Sequence, residues 1–243
     1  LIKQLVLRRT QAGRGRSQQK RMMNPLYLDD DIAVFDKPTG LASIPERNPD
    51  AACLLHLAET ALGQKLFIVH RLDKEVSGLI LFARHAAAHR FLNACFAGRT
   101  VEKRYLLLAL GRIMSDRGQI DAAIRQYGSG RMGIDPERGK PSLTEYAVLK
   151  RFSGSSLVRA FPHTGRRHQL RVHFYSIGHP IAGDPRYGGT PTGPAWPRLM
   201  LHAEAIAFTT AAGIPLEFTA PPPASFTAVL ERLEPLRPKD PLL

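Results

Sequence analysis

The stretch IVHRLDKEVSGLILFAR, residues 68–84, sets Arg71 and Asp73 two positions apart at the mouth of an aliphatic run. A carboxylate at the edge of a core is partly desolvated and needs a cation to stay ionised near neutral pH. A guanidinium can supply that charge through two parallel hydrogen bonds. Such an Asp either ties a loop to its neighbour or is held ready for nucleophilic or acid–base work, and the local residues fit both. A second set of cations lies in TGRRHQLRVHFYSIGHP, residues 164–180. A helix over 164–178 puts Arg167 and Arg171 one above the other at i and i+4.

Other chemistries fit less well. His163, His168 and His173 are five apart, which on a helix turns each by about 140° from the last and cannot gather three imidazoles on one ion. Asp29–Asp31 lacks the later Gly and Glu of a calcium loop and reads as a polar turn. There is no Gly-x-Ser-x-Gly, no Walker phosphate loop and no dinucleotide fingerprint. GSGRMG at 128–133 has glycines at a suggestive spacing, but it precedes Asp135–Pro136 rather than a helix and reads as a turn.

Elements of both kinds must position these groups. DDDIAVFDKPTG predicts a turn, a strand over Ile32–Phe35 and a Pro-Thr-Gly turn. SGLILFAR predicts a buried strand. In HAAAHRFLNACFAG, Ala88, Phe91, Leu92, Cys95 and Phe96 recur at helical spacing, with Gly98 at the cap position. VEKRYLLLALG is a strand with Lys103, Tyr105 and Leu107 on one face and Arg104, Leu106 and Leu108 on the other. LVRAFP is a further strand. The arginine helix is expected to start from Thr164 as N-cap, bury Leu170, Phe174 and Ile177, and stop at Gly178. LHAEAIAFTTAAGIPLEFTAPPP gives two strands, and Ser225–Leu233 a short helix. Strands adjoining strands with helices between some of them predict an α+β fold, a mainly antiparallel mixed sheet flanked by helices and loops.

The chain has 243 residues, 44 % of them hydrophobic, enough for one sizeable domain or two tightly joined lobes. A net charge of +13 favours a polyanionic partner, nucleic acid ahead of an anionic membrane. No apolar run reaches the ~20 residues of a spanning helix. The apolar start of LIKQLVLRRTQAGRGRSQQKR precedes its positive charges, the reverse of a secretory signal. Residues 1–24 read as a flexible basic arm, 25–234 as the folded domain and 235–243 as a Pro-broken tail. Cys53 and Cys95 make neither a disulfide scaffold nor a metal site, which points to a reducing, cytoplasmic setting.

Five segments, in order, resemble the RluA-type family of RNA pseudouridine synthases. HRLDKEVSGLILFAR is similar to the family signature His-Arg-Leu-Asp-x-x-Thr-Ser-Gly-Leu. PLYLDDDIAVFDKPTGLASIP resembles its opening strand and Lys-Pro-x-Gly turn, and EKRYLLLALG its tyrosine strand. TGRRHQLRVHFYSIGHPIAGDPRYG resembles its arginine helix and following loop, while LHAEAIAF and LEFTAPPP resemble its closing strands. Two departures stand out. Val76 replaces the usual Thr, keeping the branched shape without the hydroxyl. Residues 1–24 are too short for the N-terminal S4 domain of many relatives, so the chain resembles the shorter members.

The resemblance implies an isomerase that converts uridine in ribosomal or transfer RNA to pseudouridine. Asp73 would be the catalytic aspartate, paired with Arg171, and Tyr105 would stack on the target base. Arg71 would enter the RNA where the uridine flips out. Leu170 and Ile80 would line the pocket, and Arg167 joins the substrate-binding set. An Asp can add to C1′ or C6 of the nucleotide, or take the C2′ proton. The reaction implies no cofactor and no metal, and nothing demands a partner chain or a membrane, so a monomer is expected. The rival expectation is a non-catalytic RNA-binding or ribosome-assembly factor on the same fold. A metal-dependent nuclease is opposed by the lack of an acidic cluster.

Overall fold

A computed structural model describes residues 3–4, 24–46, 48, 51–188 and 196–234. The basic arm, apart from residues 3, 4 and 24, and the tail at 235–243 lie outside the described residues. In chain order the elements are β1 (Lys3–Gln4), β2 (Tyr27–Leu28), β3 (Ile32–Lys37), α1 (Leu54–Leu62), β4 (Phe67–Ile68), β5 (Ser77–Ala83) and α2 (Ala86–Ala97). There follow β6 (Glu102–Leu110), β7 (Arg117–Asp121), β8 (Ile124–Gln126), β9 (Met132–Ile134), β10 (Leu143–Arg151) and β11 (Ser155–Pro162). The last are α3 (Gln169–Ser176), β12 (Leu201–Thr209), β13 (Pro215–Thr219) and α4 (Ala224–Arg232). The mixture of helices with mainly antiparallel pairing is the expected α+β class.

The described residues form two compact units, one within residues 1–103 and 203–221 and the other within 104–202 and 222–243. In the first, β3 lies antiparallel between β2 and β5, with Ile32 opposite Ala83 and Lys37 opposite Gly78. All seven residues of β5 are buried, which is why its sequence is an unbroken apolar run instead of an alternation. Successive side chains feed two cores. Leu79, Leu81 and Ala83 join Ile32, Val34 and the α2 residues Ala88 and Leu92. Ile80 and Phe82 join Ala33, Phe35 and the α1 residues Leu54, Leu55 and Ala58.

Helix α2 starts from His85, whose Nδ1 accepts the Ala88 amide at 3.2 Å while Nε2 donates to Asp31 at 2.8 Å. Its C-cap is Gly98, at the expected position. Gly98 keeps right-handed φ at −73°, and the left-handed turn falls one residue later, on Arg99 at φ 60°. The second unit is an antiparallel ladder, β6–β11–β10–β7, with Tyr105 opposite Ala160 and a register shift between Val148 and Lys150. The start of GSGRMG, residues 128–131, forms the turn of the β8–β9 hairpin, so Gly128 and Gly130 serve the chain reversal, while Met132 and Gly133 already belong to β9.

Gly78 fixes how β5 begins. Its φ is +113°, and a Cβ there would run into the backbone of Ala203 on β12. Gly78→Ala is therefore expected to destabilise the fold by about 2–4 kcal/mol. Urea unfolding should show a lower midpoint with an unchanged m-value.

Candidate active site

In the first unit the Arg71–Leu72–Asp73 loop is gripped through its backbone. Ser43 donates its hydroxyl to the Leu72 carbonyl at 2.8 Å and accepts the Leu72 amide at 3.1 Å. The Gly40 amide donates to the Lys74 carbonyl at 2.8 Å, and Thr39 Oγ1 donates to the Glu75 carbonyl at 2.7 Å. Behind these, Lys37 is completely buried, its ammonium donating to the carbonyls of Pro38 at 3.0 Å, Leu41 at 2.7 Å and Lys74 at 3.1 Å. Three protons on three oxygens satisfy the buried cation and close the loop from below. Sequence reasoning noted this DKPTGLAS segment as a motif but missed its task. A lysine ending an apolar strand just before Pro-x-Gly was the available signal.

Asp73 is half-buried, Leu72 buried and Arg71 exposed. The Asp73 carbonyl accepts the Val76 amide at 3.1 Å, closing the turn. Val76 is 3 % exposed and its amide bond is indifferent to the side chain, so the missing hydroxyl leaves this turn intact. His70, one residue before Arg71, accepts the Leu81 amide on Nε2 at 2.9 Å and stacks on Phe96 with centroids 4.9 Å apart. Loss of water, reinforced by the Lys103 charge, pushes the His70 imidazole down to about 3. Burial likewise lowers the Lys103 ammonium to about 8.

In the second unit the arginine helix starts later than its sequence predicts. Thr164 is not the N-cap. The helix begins at Gln169, after His168 in left-handed conformation at φ 56°. Arg167 consequently lies in an exposed turn, and the expected i, i+4 stacking with Arg171 does not form. The cause is a buried polar network that claims Thr164. Thr164 Oγ1 donates to Gln169 Oε1 at 2.7 Å and accepts the Leu143 amide at 3.1 Å. Gln169 Nε2 donates to the Leu143 carbonyl at 2.9 Å and to Thr144 Oγ1 at 3.0 Å. Thr144 in turn meets His173 Nδ1 at 2.9 Å, and His173 Nε2 donates to the Ala122 carbonyl at 3.0 Å. Burial lowers the His173 pKa and keeps the ring neutral in this chain of donors.

That network delivers Arg171, 3 % exposed, onto Asp184. Arg171 Nε donates to Oδ2 at 2.7 Å and Nη2 to Oδ1 at 2.8 Å. The Arg186 and Tyr187 amides reach the same Oδ1 at 2.8 and 3.0 Å. Burial favours the neutral acid, but the Arg171 pair and the two amides overrule it and hold Asp184 below its ordinary value. The buried Tyr187 ring lies against the Arg171 guanidinium, 5.3 Å from its centroid, and its hydroxyl joins His168 Nδ1 at 2.9 Å and the Met132 amide at 3.2 Å. Asp184 and Tyr187 went unassigned from sequence, although GDPRYG was the segment that contained them.

The remaining expected residues fall as follows. Tyr105 is half-buried on β6, and Leu170 is 6 % exposed on α3. Ile80 is fully buried among Ala33, Phe35 and Phe82, which assigns its side chain to the core instead of an open pocket. Arg71, Asp73 and Ile80 belong to the first unit, and Tyr105, Arg167, Leu170 and Arg171 to the second. His163, His168 and His173 diverge to Glu145, Tyr187 and Thr144 respectively. Among the described residues no group of three or more His, Cys, Asp or Glu is placed to hold a metal ion.

These features meet a known pattern. The family model described as RNA pseudouridylate synthase matches residues 31–176, more than half of the chain. The chain is 36 % identical to ribosomal large subunit pseudouridine synthase D of Nitrosomonas europaea, over 86 % of its own length and 64 % of that protein's. It is 38 % identical to dual-specificity RNA pseudouridine synthase RluA of Pasteurella multocida, over 81 % of this chain and 92 % of that one. Among solved structures, human RNA pseudouridylate synthase domain containing 1 superposes with a TM-score of 0.71 at 31 % identity, covering 89 % of each chain. The chain belongs to the RNA pseudouridylate synthase family, and its relatives include RluA-type enzymes. It spans less than two thirds of the length of the Nitrosomonas relative.

Two expectations test the supports of the site. Asp184→Asn removes the charge from the carboxylate that Arg171 grips with two hydrogen bonds and is expected to destabilise the protein by about 3–5 kcal/mol in chemical unfolding. His70 binds its proton more readily unfolded, near pH 6.5, than folded, near 3. Its stabilising contribution is therefore complete above pH 6.5 and fades as pH falls toward 3. His70→Gln, which keeps an acceptor for Leu81 but does not titrate, should flatten the loss of stability over that window. Parallel wild-type and variant curves would refute the assignment.

Proposed function

We propose that this chain is an RNA pseudouridine synthase acting on uridine in structured ribosomal or transfer RNA, with Asp73 as its catalytic carboxylate. The observation that carries the reading is the HRLD signature on a loop whose neighbouring carbonyls are pinned by Lys37, Thr39, Gly40 and Ser43, in a chain of this family. Preorganising a carboxylate in this way removes the entropy of finding its target.

The reaction balances within one nucleotide. The N1–C1′ bond breaks, a C5–C1′ bond forms, the proton on C5 leaves and N1 gains one. Nothing is oxidised and no group arrives from outside, so the stoichiometry calls for no cofactor or metal. The target base must leave its stack, and in this reading Tyr105 offers the replacement aromatic face while Arg71 occupies the gap. Arg171 completes the catalytic set, with Leu170 and Arg167 on the substrate side. Names of relatives that specify the ribosomal large subunit support ribosomal RNA as the first substrate to test. We place residues 25–234 as the catalytic domain, acting as a monomer in the cytoplasm, with the basic arm and tail outside it. No helix among the described residues is long and apolar enough to cross a membrane.

A non-catalytic RNA-binding factor is the competing assignment, and Asp73→Asn separates the two. The variant should bind RNA within about twofold of wild type yet release no tritium from RNA labelled at uridine C5. Release at the wild-type rate would remove Asp73 from the mechanism. No release by the wild type from ribosomal or transfer RNA would favour the non-catalytic factor.

A further inference from the structure

Of the six tyrosines, Tyr127 and Tyr175 are the two that are exposed, at 43 % and 47 %. Each has an arginine set against its ring, Arg125 at 5.6 Å from the Tyr127 centroid and Arg131 at 5.8 Å from that of Tyr175. The Tyr175 ring lies 6.2 Å from that of the buried Tyr187, and the Tyr127 ring is tied into its hairpin. Tyr127 donates its hydroxyl to the Ile134 carbonyl across the β8–β9 hairpin at 3.1 Å, and its ring lies so close over Gly133 that a Cβ there would sit 2.9 Å from it. The hairpin is seated on α3 by Ile124 and Met132, which pack with Val172 and Tyr187. Arg131 also lies 5.1 Å from the centroid of the buried Tyr187 ring, the ring that Arg171 touches.

Charge decides what such a surface suits. Arg125 is neutralised by Asp135 at 2.9 Å, whereas Arg131 is exposed and forms no ion pair among the described residues. Residues 125–140 carry Arg125, Arg131, Arg138 and Lys140 against Asp135 and Glu137 only. Fixed aromatic faces beside an unneutralised guanidinium are the parts that bind unpaired nucleotides, by stacking and by phosphate contact.

We propose that the β8–β9 hairpin and the exposed side of α3 form a contact surface for a single-stranded segment of the substrate RNA. Arg131 anchors a phosphate, and Tyr127 and Tyr175 stack on unpaired bases. The proposal rests on the reading of the chain as an RNA-modifying enzyme and adds a contact apart from Asp73. Its test is equilibrium binding of a labelled oligouridylate and of a large-subunit ribosomal RNA fragment across a salt series, with tritium release by the wild type measured alongside.

Arg131→Ala should weaken binding about tenfold at low salt and reduce the slope of log affinity against log salt by about 0.7, the value for one phosphate on a single strand. Arg131→Lys should keep the slope. Tyr175→Leu and Tyr127→Leu should each weaken binding about tenfold with the slope unchanged, while Tyr175→Phe and Tyr127→Phe, which keep the ring, should bind as wild type. Wild-type affinity and slope in Arg131→Ala and in both leucine variants would overturn the surface. Weakened variants with no tritium release by the wild type would instead keep the surface and overturn the enzymatic reading.

Discussion

A guanidinium that is 3 % exposed, facing a carboxylate with no exposure at all, is the constraint on which the second unit depends. Such a pair is tolerable only if its geometry is close to ideal and its other hydrogen-bonding positions are filled. Asp184 meets that condition with four donors, two from Arg171 and two from the Arg186 and Tyr187 amides. To wrap those amides around the carboxylate the loop must bend sharply between two glycines. A Cβ on Gly183, at φ +72°, would strike the backbone of Arg198, and one on Gly188 would strike the carbonyl of Asp184. The ion pair therefore dictates the loop, and the loop places Tyr187 where it touches the helix, the His168 turn and the hairpin at once.

The first unit solves a similar problem with carbonyls. Lys37 carries a charge into a fully buried position, and three backbone oxygens surround its ammonium. The arrangement is economical because the same oxygens belong to chain segments that have no regular secondary structure to satisfy them. A loop running beside a core must hydrogen-bond its backbone somewhere. Here the Pro38–Leu41 turn and the segment after Asp73 share one cation, so neither can shift without stranding it. Rigidity at Asp73 is thus a consequence of solvation, imposed from the residues around it.

Elements built from local pattern were legible in the sequence. The unbroken run of β5, the helical spacing of α2 and the paired strands β12 and β13 all appear where the residues predict them. Features that depend on a distant partner were not. Thr164 has the chemistry of an N-cap, but Gln169 and the Leu143 amide, brought in by β10, compete for its hydroxyl and win. The helix then starts five residues later, and the pairing of Arg167 with Arg171 disappears with it. Helix α1 and strand β10 carried too few distinctive residues to be singled out. Asp184 was visible as a letter in GDPRYG, but its role follows from a guanidinium 13 positions earlier.

The contrast between the two aspartates sharpens the chemical reading. A carboxylate acts as nucleophile or base through a lone pair, and each donor bound to it lowers its basicity. Asp184 receives four donors, including both arms of a guanidinium, and its pKa is held down accordingly. It is a group made to keep its charge and its place. Around Asp73 the hydrogen bonds from Ser43, Thr39 and Gly40 fall on the main chain of the loop, where they fix the position of the residue. Asp184 is placed through its own carboxylate, whereas the loop that carries Asp73 is placed through its carbonyls.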